Sequence, residues 1–215
     1  MSTASEIFRY LLQTALSLYL LAVLLRLLLQ LARADFYNEI SQFVVKITNP
    51  LLRPLRRMIP PIGRLDTAAI VLALAIQAAS TLLMLALLGL SLSNPFIILV
   101  WGALGIVSLL VNFYFFAVLA LIIISWIAPQ SHHPAVILLH QLTAPVMEPM
   151  RRLLPPMGGI DFSPILVFVL INVIEILIRG LARGVGLPSG LVLELSDNFS
   201  EDVLGRFLRV AGRSC

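Results

Sequence analysis

Apolar runs long enough to cross a bilayer alternate along this chain with polar stretches rich in proline and arginine. The first run, Tyr10 to Ala32, covers about 30 Å of hydrocarbon at roughly 1.5 Å of helical rise per residue and predicts a transmembrane helix. A polar stretch continues to Asp66. Thr67 to Leu92 is then apolar except for Gln77, Ser80, Thr81 and Ser91, which predicts a second span. Ser93-Asn94-Pro95 predicts a tight turn. Phe96 to Ala128 is too long for one perpendicular span and too short for two. It reads as one tilted or extended helix, with Gly102 to Ile127 spanning and Phe96 to Trp101 at the surface. A second polar stretch, Pro129 to Asp161, precedes a fourth span from Phe162 to Leu181, and the remainder to Cys215 is charged and amphipathic.

Sliding the chain along itself by 95 residues superimposes Pro54–Asp66 (PLRRMIPPIGRLD) on Pro149–Asp161 (PMRRLLPPMGGID), with seven of thirteen positions identical and five exchanging Leu, Ile and Met. The same shift matches Tyr19, Ala22, Val23 and Leu24 with Tyr114, Ala117, Val118 and Leu119. The chain therefore consists of two copies of one unit, helix, connector, helix. Two spans per unit return it to its starting side, so the copies are parallel repeats. The expected fold is an all-α polytopic membrane protein with four transmembrane helices. Its first repeat covers 5–92 with an interfacial connector 33–66, its second covers 100–181 with connector 129–161, and 182–215 forms an amphipathic tail.

Composition agrees: 60% of residues are hydrophobic and 12% charged, against about one quarter charged in soluble domains. The net charge of +4 is carried by basic residues beside apolar runs, where orientation and anionic lipid account for it, so nucleic acid is not an expected partner. Cys215 is the one cysteine, which excludes an intrachain disulfide. The first run lacks a small-residue cleavage site and no Arg- and Ser-rich transit segment is apparent, so a retained helix in a bacterial inner membrane is expected. Arg33, Lys46, Arg53, Arg56, Arg57 and Arg64 in the first connector and Arg151 and Arg152 in its counterpart place both connectors in the cytoplasm.

In the first connector Ile40, Phe43, Val44, Ile47 and Leu51 recur at helical spacing, predicting a helix lying in the interface. Its counterpart begins at Pro134, a residue suited to a first helical turn. The prolines predict that the chain turns tightly between Pro50 and Gly63 instead of continuing as helix. The repeated signature comprises Pro54, Arg56, Arg57, Pro60, Pro61, Gly63 and Asp66, then Pro149, Arg151, Arg152, Pro155, Pro156, Gly158 and Asp161. Each aspartate stands just before a span, where N-capping is preferred over a proton or cation site. For the arginine pairs, lipid phosphate anchoring and orientation lead, ahead of pairing with the aspartate of the other repeat or a substrate role. Gln77 and Asn172, eleven residues beyond their aspartates, lie about 16 Å into the membrane and read as hydrogen-bonding links between helices. Arg26 is expected to snorkel and Glu175 to meet Arg179 one turn on. In the tail, Val203, Leu204, Phe207, Leu208 and Ala211 form one helical stripe behind Ser200, predicting a short surface helix.

His132, His133 and His140 have no carboxylate or thiol at ligand spacing, so no metal is expected. Gly158-Gly159 lacks a strand-turn-helix setting, and no nucleophile motif or catalytic carboxylate pair is visible, so neither cofactor nor enzyme activity is expected. The connector FYNEISQFVVKITNPLLRPLRRMIPPIGRLD, echoed by LTAPVMEPMRRLLPPMGGIDFSP, resembles the duplicated connector of the YggT family of bacterial membrane proteins over about residues 5 to 181. That resemblance implies a role in osmotic tolerance and potassium homeostasis, or, as for plastid relatives, in cytochrome assembly and membrane or nucleoid organisation. Two functions stay open: a factor supporting ion or osmotic homeostasis, and a scaffold for division or membrane-complex assembly. Expected partners are membrane lipids with anionic headgroups and a second copy or another membrane protein.

Overall fold

A computed structural model describes residues 3–63, 65–89, 96–128, 130–154 and 161–186. Six helices follow in chain order: α1 (Thr3–Leu31), α2 (Glu39–Met58), α3 (Thr67–Leu88), α4 (Ile97–Ile127), α5 (Pro134–Leu153) and α6 (Ser163–Gly184). Among them α1, α3, α4 and α6 are long and apolar enough to cross a membrane. The tail helix expected between Ser200 and Ala211, and the turn at Ser93-Asn94-Pro95, lie outside the described residues.

Each repeat is a pair of spans closed by a connector helix: α2 packs on α1 and α3, and α5 on α4 and α6. Within the first, Leu20, Val23, Leu24 and Leu27 of α1 meet Ala68, Ala69, Leu72 and Ala73 of α3, with Leu52 of α2 beneath them. Small residues on α3 let the two backbones approach, the usual source of helix affinity where lipid removes the hydrophobic drive. The second repeat has its own core of Val111, Val118, Met147, Val167, Ile171 and Ile178. The repeats join through α3 against α4, and through the connectors. There the Asn38 side-chain amide donates to Pro134 O at 2.8 Å, and the Asp35 N–H donates to Gln141 Oε1 at 2.9 Å. Both connectors therefore sit at one end of the bundle, as parallel repeats require.

The expected turn between Pro50 and Gly63 is corrected: α2 runs through Pro50 and Pro54, and α5 through Pro145 and Pro149. Each pair is four residues apart, which puts both missing N–H groups on one face, and all four prolines are exposed. The carbonyls they leave without partners face outward, where water and headgroups can satisfy them. The helices end at Met58 and Leu153 instead. As expected of one extended helix, α4 is continuous from Ile97 to Ile127. Trp101 is buried and its indole N–H donates to Val185 O at 3.2 Å. No glycine-proline break separates the first turn of α4 from the span, and Gly102 and Gly105 let it lie close on α3. The inward face of α2 is Ser41, Val44, Thr48 and Leu52, whereas Ile40, Phe43 and Leu51 point outward. At headgroup depth the acyl chains are themselves an apolar partner, so the greasier face can turn to lipid and the smaller one to protein.

Candidate functional site

The chain leaves α2 at Met58, passes Pro60 and Pro61, and reverses at Gly63, whose φ of +61° is a left-handed conformation suited to glycine. Ile62 and Leu65 exchange backbone hydrogen bonds across that turn at 3.2 and 3.1 Å. The reversal lays Asp66 back beside the last turn of α2. There Arg56 donates to Asp66 Oδ2 from Nε at 3.2 Å and from Nη2 as well. Oδ1 accepts the Ala69 N–H at 3.3 Å, so one carboxylate both caps α3 and ties it to the connector. Asp66 is only 2% exposed. Arg57 and Pro54 lie on the exposed side of α2.

The second repeat repeats the pairing more loosely. Arg151 Nε donates to Asp161 Oδ2 at 2.9 Å, and Asp161 Oδ1 accepts the Ser163 N–H at 2.9 Å. Burial raises the Asp161 carboxyl pKa, but the hydrogen bonds from Ser163 and the pairing with Arg151 outweigh it and hold the group below the ordinary carboxylate range. Arg152 and Pro149 are exposed, while Pro155, Pro156 and Gly158 fall outside the described residues. Pairing of these arginines with the aspartate of the other repeat is thereby corrected: each arginine finds the aspartate ten residues on in its own repeat. In the first repeat the turn at Gly63 lies between the two and brings them together, which makes the local partner the nearer one.

Arg26 corrects a further expectation. It does not snorkel; it is 5% exposed and turns onto α2. Its Nη1 donates to Thr48 Oγ1 at 2.7 Å, Asn49 Oδ1 at 2.8 Å and Val45 O at 3.3 Å. Thr48 in turn donates to Val44 O at 2.7 Å. These hydrogen bonds all leave from Nη1, and Arg26 also lines a neighbouring cavity. That cavity, of about 400 Å³, is lined by Arg26, Gln30, Phe36, Val45, Arg56, Pro61 and Asp66. Two guanidinium groups against one carboxylate leave it net cationic, and Phe36, Val45 and Pro61 give it an apolar wall. Sequence reasoning missed Thr48 and Asn49. The available signal was the 95-residue shift itself, which matches Thr48 with Thr143, whose hydroxyl likewise bonds back into its helix, to Leu139 O at 2.9 Å. The same shift puts Leu121 opposite Arg26 and Ala144 opposite Asn49, so this polar cluster belongs to the first repeat alone.

Among the described residues Gln77 and Asn172 make no hydrogen bond between helices. Gln77 is fully buried and neither of its amide atoms has a partner among those residues; its Cγ is 3.5 Å from where a Cβ on Gly102 of α4 would lie. Asn172 is exposed and donates within its own helix, to Phe168 O at 2.8 Å. Glu175 does meet Arg179, at 3.7 Å. No group of histidine, cysteine, aspartate and glutamate able to hold a metal occurs among the described residues.

Several bacterial proteins are similar to this chain over most of its length. An uncharacterised protein of Pseudomonas aeruginosa is 46% identical over 86% of this chain and 95% of its own length. The uncharacterised protein YggT of Escherichia coli K12 is 36% identical over 82% of this chain and 92% of its own, and an uncharacterised Haemophilus influenzae protein is 33% identical over 81% and 93%. No solved structure matches the chain. The CCB3/YggT family profile matches it twice, at residues 5–87 and 100–182, once for each pair of spans and the clamp between them, and the chain belongs to that family.

Proposed function

We propose that this protein is a non-enzymatic organiser of the bacterial inner membrane, a scaffold that holds anionic phospholipid in the cytoplasmic leaflet through its first connector and presents both connectors to a membrane complex. The observation that carries this reading is the net cationic cavity between α1 and α2. There a buried Arg26, oriented by Thr48 and Asn49, shares a wall with Arg56 and Asp66. A phosphodiester headgroup suits that geometry: guanidinium forks bind phosphate oxygens, and the apolar wall can receive the start of an acyl chain. The Arg56–Asp66 tie sets the spacing of the two guanidinium groups.

The test is lipid retention. Wild-type protein purified in mild detergent and offered phosphatidylglycerol or phosphatidylcholine should keep the anionic lipid selectively in native mass spectrometry, and Arg26→Leu should lose that selectivity while remaining folded. Equal retention of both lipids by wild type would refute the reading. Cysteine labelling in intact cells should reach both connectors from the cytoplasm only.

A second reading, support of osmotic tolerance through ion passage, draws on Gln77 and Ser80, whose polar side-chain atoms are buried without partners inside the bundle. Potassium flux in proteoliposomes decides between the two: flux lost in Gln77→Leu would favour passage, and absence of flux favours the scaffold.

A further inference from the structure

The two repeats are alike in sequence but unlike in what covers them. α3 packs on both sides, against α1 and against α4, whereas among the described residues α6 packs chiefly against α4 and the connector helix α5. The 95-residue correspondence shows which surface is left over. On α3 the face turned to α4 includes Gln77, Thr81, Met84 and Leu85, all buried. Their equivalents on α6, Asn172, Ile176, Arg179 and Gly180, are all exposed. The opposing surface tells the same story. Ile98, Trp101, Gly102, Gly105 and Leu109 of α4 are buried, and their equivalents on α1, Thr3, Glu6, Ile7, Tyr10 and Thr14, are all exposed. One interface is thus made once inside the chain, and the positions equivalent to both of its halves are exposed, among the described residues, on the two outer spans.

We infer that the protein self-associates head to tail, α6 of one copy packing against α1 of a second in the arrangement that α3 and α4 adopt within each copy. The geometry is consistent with one membrane. α3 and α4 run antiparallel, and so do α6 and α1 when both copies keep their connectors on the same side. Chemistry at the facing positions supports the same occupant. Where Met84 and Leu85 meet Trp101 inside the chain, the equivalent positions bring Arg179 to Glu6, opposite charges at the membrane end remote from the connectors. Where Gln77 lies on Gly102, Asn172 would lie on Ile7, a shorter side chain against a longer one. The contact is heterologous, so it closes either reciprocally in a pair of copies or around a ring.

Disulfide trapping tests this directly, because Gln77 Cβ lies 3.7 Å from a Cβ built on Gly102, the separation found in disulfides. In a Cys215→Ser background in native membranes, Gln77→Cys with Gly102→Cys should close within the chain and shows that the fold and the oxidation work. Single variants Ile7→Cys and Asn172→Cys, coexpressed on separately tagged copies, should form an intermolecular disulfide carrying both tags, while neither should cross-link when expressed alone. Arg179→Glu should lower the mixed yield several-fold, and Glu6→Arg on the other copy should restore it. A control that closes while the mixed pair stays monomeric overturns the inference. So does efficient cross-linking of either single variant alone, which would mark a different, self-complementary contact.

Discussion

Replacing Asp66 by asparagine isolates the ion pair from the helix cap. Asparagine keeps an oxygen at the position of Oδ1, which accepts the Ala69 N–H, and is as good a capping residue as aspartate. What it removes is the charge on Oδ2 that holds Arg56. Hydrogen bonds to charged groups contribute about 1.5–3 kcal/mol. Because Arg56 is 39% exposed while Asp66 is 2% exposed, solvent screens half of the pair, and a loss of about 1.5–2 kcal/mol is expected. The equivalent Asp161→Asn acts on a pair exposed at both ends, 51% and 35%, and should lose about 0–1 kcal/mol. Asp66→Ala should lose about 1 kcal/mol more than Asp66→Asn, the value of the cap. Equilibrium unfolding in mixed micelles at neutral pH, followed by helical circular dichroism, measures all three. Combining Asp66→Asn with Arg56→Gln closes a double-mutant cycle that reads the pair alone. A coupling near zero, or an Asp161→Asn variant as unstable as Asp66→Asn, would refute the assignment of Asp66 as the tighter clamp.

Acid should expose the weaker clamp: a depressed carboxyl pKa stabilises the fold above the unfolded value of about 3.9 and is lost as pH falls through the lower folded value. The stability difference between wild type and Asp161→Asn should therefore be constant near neutrality, begin to shrink below about pH 4 and vanish only once the pH has passed below the depressed folded value, checked by unfolding across that range. Gln77→Leu should leave detergent stability unchanged or raise it by about 1–3 kcal/mol, since it removes a buried amide that no protein group satisfies. Asn172→Leu, on an exposed face, should leave the stability of the single copy unchanged, and a loss for Gln77→Leu would show that its amide is satisfied in the membrane. Gly63→Ala should cost about 1–2 kcal/mol although nothing lies within 4 Å of the added methyl, because φ is positive there. Gly180→Ala, also without a neighbour within 4 Å and with ordinary backbone, is the control in the same unfolding assay.

The four spans, the duplicated unit and the place of Asp66 before α3 are all legible along the chain, because each depends on residues close in sequence. A run of apolar side chains must be helical in lipid whatever surrounds it, and a carboxylate one residue ahead of a span has free N–H groups in reach. Periodicity alone could not say which face of α2 turns inward. Apolar side chains are satisfied equally by lipid and by protein, so Phe43 and Leu51 could go outward while Ser41 and Thr48 went in. Nor could the prolines reveal that they share the exposed face of their helices, where missing hydrogen bonds are tolerated. The direction of Arg26 depends on acceptors at Thr48 and Asn49, more than twenty residues away, that only the return of α2 beside α1 supplies. Two repeats that share a signature acquire different surroundings for the same reason: local sequence sets each helix pair, but which outer faces of α1 and α6 stay exposed among the described residues is decided by packing alone.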